Sequence, residues 1–532
     1  MNERNTRQSV SPTIAQRVIR CTSVVLALAM TLAVARADTP EPDLEAILTH
    51  VRDAKGFARL THLNSGVLLT GTSRHYGTDG TYRLLFNPDG RFVEKTEARL
   101  SSTVGFDGRE AWSVDWSGLP SLLELEDLER VLATQWVHTG RWLVENGPFA
   151  ITLNAEETSG EKVVLDLRLR NGVLAWQVTI DRRSWLPTNL LLSSKGGTDT
   201  WTFTDYRDFK GVRLACRVDH VDDAGKTDAV EIADIAAAPH SAGNPYERIT
   251  KRPDDTRFNA DAPAELKVKA TPTGHLLVHP SVDGRDLGWF IFDTGAGAMV
   301  ITPSAADAAD MPAFGEVTAN GVGGMLDTRF RQGKSLTLGR VTIDKPIHVE
   351  LDLSFLTPFF GVEVAGICGY DLLARVVAEF DPHKRKISLL DPASYALAQG
   401  DWQELFIGGR HPHVIAGFEG KHEGVFRLDT GANGTVTFHA PAVKRLGLLE
   451  GRDTTSGFHG GAGGMKKVRT GTVEWFELAG HRFEEPVVVF GLSDQGASSG
   501  HRSLGTIGLE FLEPFVVVFN YPDKKIAFVK RQ

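Results

Sequence analysis

Two short segments of the chain combine an acid, a hydroxyl and a glycine directly after an apolar run. The first is Asp293-Thr294-Gly295-Ala296, and the second, 136 residues later, is Asp429-Thr430-Gly431-Ala432. An unpaired carboxylate at the end of a buried strand costs free energy, so the two acids are candidate functional residues. Two carboxylates about 3 Å apart cannot both ionise, so they share one proton and offer a base and an acid together. The pair predicts acid–base catalysis by Asp293 and Asp429 on a water molecule.

The elements that position these acids follow from the residues around them. The apolar run Trp289 to Phe292, and the segment Val425 to Leu428, which is apolar except for Arg427, predict strands that deliver each acid into a tight turn. Gly295 and Gly431 let the backbone of the turn adopt conformations that other residues avoid. Because the two carboxylates would interact strongly, their titration belongs to the pair and to neither residue alone.

Everything after about residue 265 reads as two copies of one unit built around these turns. In each copy a strand and a hairpin glycine precede the acid, and a Gly-rich segment and an apolar-apolar-Gly segment follow it. The corresponding parts are Leu276 to Val278 and Val414 to Ala416, Gly284 and Gly420, Gly321 to Gly324 and Gly460 to Gly464, and Ile367-Cys368-Gly369 and Thr506-Ile507-Gly508. A given tetrapeptide occurs by chance in about one chain in a hundred of this length, so the two copies indicate an internal repeat.

On these motifs the C-terminal part resembles aspartic proteases of the retropepsin type, in the pepsin clan, with two lobes fused in one chain. The resemblance implies peptide-bond hydrolysis by Asp293 and Asp429 without a cofactor or a metal. It also implies that the hydroxyls of Thr294 and Thr430 hydrogen-bond into the opposite lobe. Hydrolysis of this kind needs one group to activate water and another to protonate the leaving nitrogen, which the shared proton supplies.

Ala296 and Ala432 stand where pepsin-like enzymes usually carry Ser or Thr. Without a hydroxyl donor beside the carboxylates, the ionised form is less stabilised, which should raise the pKa of the pair. We therefore expect an activity optimum at mildly acidic pH.

The Gly-rich segments are the predicted substrate-binding flaps. Gly323-Gly324 and Gly463-Gly464 suit hairpin tips, where backbone must approach a substrate and also move. Two flaps, one in each lobe, resemble the retroviral arrangement more than the single flap of pepsin. An extended peptide between them would be held by main-chain hydrogen bonds, as an added strand is.

The two repeats differ two residues before each acid, where the first has Ile291 and the second has Arg427. Period 2 places this residue on the same strand face as the acid, so both are candidate substrate-binding residues. Arg427 either lines a pocket that selects acidic side chains or pairs with an acid at the edge of the lobe. In both cases the two sides of the cleft should differ.

Before the repeats, residues 38–245 alternate apolar and polar residues in short runs separated by turn signals such as Asn171-Gly172. This rhythm predicts a curved antiparallel sheet, with a helix near Leu122 to Leu132 covering one face. It resembles the half-barrel of bacterial lipoprotein-carrier domains, which implies contact with a lipid or a lipoprotein. Glu124, Glu126 and Asp127 are interpreted as a solvated helix face.

Composition and the N-terminus set the class of protein. The 532 residues include 58 Lys+Arg and 67 Asp+Glu, a net charge of −9 with no basic block, which gives nucleic-acid binding no support. Arg17 and Arg20 precede the apolar run Val24 to Ala35 and the small-x-small site Ala35-Arg36-Ala37, which predicts an export signal. An uncleaved membrane anchor is the alternative. Cys216 and Cys368 are expected to be buried and unpaired.

His411, His413 and His422 are close in sequence but lack the fixed spacing of a metal motif, so they are interpreted as solvated loop histidines. The sequence also lacks a Gly-x-Ser-x-Gly elbow, a phosphate loop and a His-Glu-x-x-His motif.

The sequence thus predicts a mainly β chain with five parts: signal peptide 1–37, antiparallel β domain 38–245, linker 246–264, and protease lobes 265–397 and 398–532. The predicted function is a monomeric, exported aspartic endopeptidase, periplasmic or secreted, that acts on peptides or proteins. One alternative is a catalytically silent peptide- or lipid-binding protein on the same scaffold. A two-carboxylate glycosidase would leave the turn and flap glycines unexplained.

Overall fold

The computed structural model describes residues 43–63, 65–194, 197–239, 243–420, 422–493, 496, 501 and 503–531. The predicted signal peptide, with Cys21, lies outside the described residues. The described part is mainly β, and the residues from Leu44 onwards pack as one compact unit. None of its helices is both long and apolar enough to cross a membrane.

The N-terminal region is one large antiparallel sheet of 13 strands with three helices against it. The helices are α1 Leu44–Lys55, α2 Phe57–Thr61 and α3 Leu125–Thr139, with a 3-10 turn at Arg141–Leu143. The strands, β1 to β13 in order, are Val67–His75, Thr78–Phe86, Phe92–Glu97, Ser102–Phe106, Ala111–Val114, Pro120–Leu122, Phe149–Leu153, Lys162–Leu169, Trp176–Asp181, Pro187–Ser194, Gly197–Phe209, Val212–Val221 and Thr227–Ala237.

The strand order across the sheet is β6-β5-β4-β3-β2-β1-β13-β12-β11-β10-β9-β8-β7. The first and last strands in sequence, β1 and β13, therefore pair in the middle of the sheet. Helices α1 and α3 bury one face of the sheet, since both contact β12. The core between them holds large aromatic side chains such as Trp136, Trp142 and Trp176. The sheet and covering helix predicted from the strand rhythm are present, although α3 begins and ends later than expected.

Residues 246–397, which comprise the predicted linker and the first repeat, contain 15 strands, β14 to β28, and three short helices. In chain order the strands are Thr256–Phe258, Val268–Ala270, Leu276–Val278, Ser281–Val282, Arg285–Asp286, Trp289–Phe292, Val300–Ile301, Ala313–Gly321, Gly324–Gln332, Ser335–Leu338, Val341–Asp344, Ile347–Glu350, Val364–Cys368, Val377–Asp381 and Lys386–Leu390. The helices are α4 Pro303–Ala308, α5 Thr357–Phe360 and α6 Tyr370–Leu373, with a 3-10 turn at Ser354–Leu356.

The second repeat contains strands β29 to β41 and two short helices. In chain order the strands are Gln403–Glu404, Phe406–Gly408, His411–Phe418, His422–Leu428, Val436–Phe438, Thr455–Gly461, Gly464–Thr472, Trp475–Leu478, His481–Glu484, Val487–Gly491, Ser503–Ile507, Phe515–Asn520 and Lys525–Lys530. The helices are α7 Ala440–Arg445 and α8 Leu509–Leu512.

The two repeats have the same strand order in their main sheets. The first runs β16-β19-β26-β20-β25-β22-β21, and the second runs β31-β32-β39-β33-β38-β35-β34. In both, the strand that leads to the acid is parallel to the strand of the apolar-apolar-Gly segment. A further sheet, β28-β27-β40-β41-β29, joins the repeats through pairing of β27 with β40.

The domain boundaries given above remain predictions, but the segment interpreted as a linker contains secondary structure. Within it, Thr256–Phe258 forms β14, which pairs with β24 of the first repeat. The side chain of Arg375 bonds both Asp255 in this segment and the Ser117 carbonyl of the N-terminal region. The segment therefore packs against both of its neighbours.

The interpretation of the acids at the start of α3 as a solvated face is wrong. Their carboxylates accept hydrogen bonds from backbone N–H groups of the second repeat, because α3 packs with its first turn against that repeat. The pairs are Glu124 with Ile407 (2.9 Å), Asp127 with Gly409 (2.6 Å) and Glu126 with His501 (2.8 Å). Nothing in the local pattern of α3 distinguishes such acids from solvated ones.

Candidate active site

Each acid is positioned by a strand whose pairing continues to the acid itself. β19 places Phe290, Ile291 and Phe292 in the interior, and the Asp293 N–H then donates to the Cys368 carbonyl (3.1 Å). In the second repeat β32 ends at Leu428, and the Asp429 N–H donates to the Ile507 carbonyl (3.0 Å). The backbone of both acids is thus fixed by the strand of the apolar-apolar-Gly segment.

The two turns are locked together by their threonines. The Thr294 hydroxyl donates to the Leu428 carbonyl (3.0 Å) and accepts from the Thr430 N–H (3.0 Å). The Thr430 hydroxyl donates to the Phe292 carbonyl (2.9 Å) and accepts from the Thr294 N–H (3.0 Å). Both threonines are buried, so these four bonds are shielded from water. Each turn therefore depends on the other for its hydrogen bonds.

The glycines leave room for the opposite carboxylate. A Cβ atom at Gly295 would lie 2.2 Å from Cγ of Asp429, and one at Gly431 would lie 2.5 Å from a carboxylate oxygen of Asp293. The N–H groups of the same glycines donate to Asp293 Oδ1 (2.7 Å) and Asp429 Oδ1 (2.8 Å), each within its own turn. The two carboxylates are thereby brought together between the turns.

The electrostatics of the pair follow from this geometry. Burial, and then the neighbouring Asp429 carboxylate, raises the pKa of Asp293 well above its usual range. The Gly295 N–H bond and the charge of Arg427 oppose the shift without reversing it. A proton is therefore retained on the pair at pH values at which an isolated carboxyl is ionised.

Ala296 and Ala432 connect the turns to the short helices that follow the apolar-apolar-Gly segments. The Ala296 carbonyl accepts from the Tyr370 N–H (2.9 Å), and the Ala432 carbonyl accepts from the Leu509 N–H (2.8 Å). A Cβ at Gly369 would lie 2.6 Å from the Ala296 carbonyl oxygen, so this glycine allows the helix to approach the turn.

The two Gly-rich hairpins meet at their tips. The Gly323 N–H donates to the Ala462 carbonyl (2.8 Å), and a Cβ at Gly323 would lie 1.9 Å from the Gly463 carbonyl carbon. Gly324, Gly463 and Gly464 have φ values of 137°, 83° and 114°, which L residues rarely adopt. The structure therefore brings together the four glycines that were predicted as substrate-binding.

A cavity of about 190 Å³ lies between the second hairpin and the second turn. Phe458 and His459 of the hairpin line one side, and Ala432 and Asn433 line the other. Burial lowers the pKa of His459, and the charge of Asp429 acts in the opposite direction. The second hairpin thus lies over Asp429.

Ile291 and Arg427 occupy equivalent positions with opposite surroundings. Ile291 is buried and pairs with Leu277 on one side and Ile367 on the other. Arg427 is half-buried, and its guanidinium donates to the Thr506 hydroxyl (3.0 Å). Their roles in substrate binding remain predictions.

The interpretation of the three sequence-adjacent histidines as solvated is wrong for His413, which is buried in strand β31. Its Nδ1 contacts the His411 carbonyl (3.0 Å), and burial, followed by the charge of Arg427, lowers its pKa to about 3. Among the described residues, no group of three or more His, Cys, Asp or Glu side chains could hold a metal ion. Cys216 and Cys368 are buried and unpaired.

One residue at the site was missed at the sequence level. His275, 18 residues before Asp293, reaches the second turn and contacts the Gly431 carbonyl through Nε2 (2.9 Å). The signal was present in the repeat, because the equivalent position in the second copy is also a histidine, His411. His275 belongs to no known local motif and His411 was considered only as a metal ligand, so the sequence gave no reason to assign either histidine to the turns.

Comparisons with known proteins match both repeats. An aspartyl protease family model matches residues 278–372 and 414–511, one match for each turn. A retropepsin-like aspartic protease from Rickettsia conorii is similar at 16% identity over 25% of this chain and 96% of that one, with a TM-score of 0.19. None of the curated proteins compared matches the chain.

Other similar structures align with different shares of the chain. A LolA superfamily protein from Nitrosomonas europaea has 13% identity over 38% of this chain and 96% of that one, with a TM-score of 0.27. A putative outer membrane lipoprotein-sorting protein domain from Vibrio parahaemolyticus has 10% identity over 38% and 97%, with a TM-score of 0.27. In the C-terminal part of the chain the aspartyl protease family model thus matches twice in succession, and each match contains one Asp-Thr-Gly-Ala segment.

Proposed function

We propose that the chain is an exported aspartic endopeptidase that hydrolyses peptide bonds with water activated between Asp293 and Asp429. The observation that supports this most directly is the interlocked pair of turns, in which each glycine packs against the opposite carboxylate. The raised pKa of Asp293 adds to it, because a pair that holds one proton contains both a base and an acid.

The proposed reaction uses the shared proton in two steps. The ionised carboxylate takes a proton from the bound water as the water oxygen attacks the scissile carbonyl carbon. The protonated carboxyl of the other acid stabilises the developing oxyanion, and a proton then passes to the leaving nitrogen as the C–N bond breaks. The pair is left with one proton, so the cycle can repeat.

The hairpins would hold the substrate above the pair. Gly323, Gly324, Gly463 and Gly464 offer backbone groups without side chains, which suits main-chain bonding to an extended peptide. The cavity beside Ala432 and Phe458 would receive a substrate side chain on the Asp429 side. The hairpins would have to separate for the peptide to enter, since their tips are in contact.

Export and the partners of the N-terminal region are part of the same proposal. The basic residues and apolar run before Ala37 support export to the periplasm or the medium. The large antiparallel sheet with helices on one face is compatible with contact to a lipid or a lipoprotein, as expected from the sequence. A single chain supplies both acids, so we expect a monomer to be sufficient.

The test is an endopeptidase assay of the chain from Asp38 onwards, with casein and a peptide library, with and without pepstatin. Asp293→Asn and Asp429→Asn should abolish cleavage. Asp310→Asn is the matched control, because this acid is exposed and pairs with Arg285 at the surface. If the wild type binds peptides but cleaves none, the protein is the silent binding protein instead. If the two Asn variants cleave as well as the control, cleavage does not depend on the acid pair and the proposed mechanism fails.

A further inference from the structure

His275 lies directly before β16, after a turn that begins at Thr271. Its side chain is buried, with 7% exposed, and its ring packs against Phe360 with centroids 4.8 Å apart. The Thr271 N–H donates to the His275 carbonyl (2.9 Å), so the backbone of the histidine is closed into the turn. The position is therefore rigid, although it lies in the first repeat and its hydrogen-bonding partner lies in the second.

The hydrogen bonds of the imidazole define its tautomer. A carbonyl oxygen can only accept, so Nε2 carries the proton and donates to Gly431 (2.9 Å). Nδ1 then accepts from the Thr273 hydroxyl (2.8 Å). Burial lowers the pKa of His275, which favours this neutral form.

The accepting carbonyl belongs to the peptide that closes the second turn. In that turn the Gly431 N–H donates to Asp429 Oδ1 (2.8 Å) and the Ala432 N–H donates to the Asp429 carbonyl (3.2 Å). His275 thus fixes the peptide plane between the two residues whose N–H groups hold Asp429. The equivalent histidine of the second repeat, His411, lies beside the first turn. A Cβ atom at Gly297 would lie 3.3 Å from its Cε1 atom.

We propose that His275 is a positioning residue that holds the Asp429 turn in the orientation needed for catalysis, a role that rests on the proposed function. It acts across the lobe boundary, so the first repeat orients the acid of the second repeat as well as supplying its own. A misplacement of about 1 Å at a reacting group can cost about a hundredfold in rate.

The test compares His275→Ala with His275→Gln, whose amide can still donate to the carbonyl. We expect the Ala variant to lower kcat about tenfold or more with KM little changed, and the Gln variant to recover most of the loss. His279→Ala is the matched control, because this histidine follows β16 and pairs with the exposed Asp286. An unchanged kcat in His275→Ala, or a Gln variant as slow as the Ala variant, would overturn the proposal.

Amide hydrogen exchange at residues 429–434 decides the same question without catalysis. His275→Ala should accelerate exchange in this turn, and His279→Ala should not. If the wild type proves inactive, the proposed function fails, but the exchange rates still show whether His275 holds the turn. Equal exchange in the wild type and in His275→Ala would refute the positioning role.

A separate set of contacts concerns the first hairpin, β21 and β22. The Tyr76 carbonyl of the N-terminal region accepts from the Glu316 N–H (2.9 Å), and Lys226 pairs with Asp327 (3.2 Å). The rings of Tyr76 and Trp116 both pack edge-on against Phe330, each with centroids 5.6 Å apart. The base and one side of this hairpin are thus attached to the N-terminal sheet.

The second hairpin, β34 and β35, has a different environment. In the part of the chain that the structure describes, none of its hydrogen bonds, ion pairs or ring contacts involves the N-terminal region. Two of its side chains, Phe458 and Met465, are 65% and 68% exposed. Fewer packing contacts mean a lower cost of local opening.

From this contrast we infer that the N-terminal region immobilises the first hairpin and that substrate enters by movement of the second hairpin. The inference rests on the proposed function for its role in substrate entry, but the difference in mobility is measurable by itself. Hydrogen exchange in the wild type should be faster in 455–472 than in 313–332.

Trp116→Ala should accelerate exchange in 313–332 and leave 455–472 unchanged, because it removes a ring that supports Phe330. Trp185→Ala is the matched control, since this tryptophan stacks on His50 within the N-terminal region. Asp327→Asn, which removes only the ion pair with Lys226, should give a smaller effect in the same direction and does not disturb the core. Equal exchange in the two hairpins of the wild type, or an unchanged first hairpin in Trp116→Ala, would overturn the inference.

Discussion

The two repeats share a strand order but differ in the layer of side chains on the outer face of their central strands. In the first repeat this layer is apolar, with Leu277, Ile291 and Ile367 at neighbouring positions across three strands. In the second repeat the same three positions are polar, and they are His413, Arg427 and Thr506. The inner faces of both sheets are apolar and belong to one continuous core.

The side chains that pack on each layer are apolar in the first repeat and polar in the second. Leu353 and Phe360 cover the apolar layer. In the polar layer His439 contacts the Thr506 hydroxyl through Nε2 (3.0 Å), and burial, followed by the charge of Arg427, lowers the pKa of His439 to about 3. The histidines therefore remain neutral beside the arginine. The two repeats therefore have the same Asp-Thr-Gly-Ala turn but different side chains in the layer next to it, so the turn does not require one kind of layer.

The largest expected effect tests whether the two acids are equivalent. Asp293→Asn and Asp429→Asn should each lower kcat by about a thousandfold or more, because the pair loses either its base or its acid. Measured kcat values for the two variants should agree within about tenfold. A variant that retains substantial activity would show that one lobe performs the reaction alone.

The Asp293→Asn substitution should not weaken the fold. Since the pKa of Asp293 is raised in the folded chain, the unfolded chain loses this proton first as the pH rises. Stability therefore falls as the pH rises through the ordinary range of a carboxyl towards the raised pKa. At neutral pH Asp293→Asn should have a Tm equal to or above that of the wild type, and a clearly lower Tm would contradict the direction of the shift.

The second prediction exchanges the chemistry of the outer layers. Ile291→Arg would place a charge among Leu277, Ile367 and their apolar cover, and should cost about 3–5 kcal/mol in the free energy of unfolding. Arg427→Ile removes the bond to Thr506 in a half-buried site and should cost about 1 kcal/mol. Urea unfolding measures both, and equal costs would mean that the two layers are equally tolerant.

The third prediction tests the symmetry of the interlocked turns. Thr294→Val and Thr430→Val each remove one hydroxyl and leave a buried carbonyl and a buried N–H without their partner, at about 1–3 kcal/mol. The two losses of stability should agree within about 0.5 kcal/mol, as their contacts are the same. The control is Thr342→Val, which removes a hydroxyl from the exposed pair with Thr337 and should have little effect. Clearly unequal losses would show that one turn depends less on its partner than the other does.

The smallest expected effect concerns the pH dependence of activity. Because burial and the neighbouring carboxylate raise the pKa of Asp293, the active, singly protonated pair should persist into mildly acidic solution. The pH–kcat profile should therefore peak well above about pH 2. Ala432→Ser, which returns a hydroxyl to the second turn, should shift the profile downwards by less than about one pH unit. A wild-type optimum near pH 2 would contradict this account.

Much of the repeat could be predicted because its signals are local. The apolar run, the acid and the glycine stand next to each other at Asp293 and at Asp429, and the hairpin glycines mark the tips of β21-β22 and β34-β35. Because the strand, the acid, the Gly-rich segment and the apolar-apolar-Gly segment follow each other in the same order in both copies, each copy supported the interpretation of the other. The two turns then had to meet, since neither acid has a chemical role by itself.

The remainder depends on contacts between residues that are far apart in the chain. Glu124 and Ile407 are separated by 283 residues, and His275 and Gly431 by 156. Local patterns of polarity do not encode such partners, so the α3 acids were interpreted as solvated and His275 was overlooked. For His413, a polar residue in a strand was taken as exposed, whereas here an entire layer of the sheet is polar and covered.

The pairing of β27 with β40 has a consequence for how the protein tolerates dilution. Val377 to Phe380 of one repeat are joined by backbone bonds to Val517 to Asn520 of the other, within one covalent chain. A site made from two separate subunits is lost as their concentration falls below the dissociation constant, whereas a site made within one chain is not. Fusion also removes the requirement that both halves carry the same sequence, which is the condition under which one half can acquire an arginine where the other keeps an isoleucine.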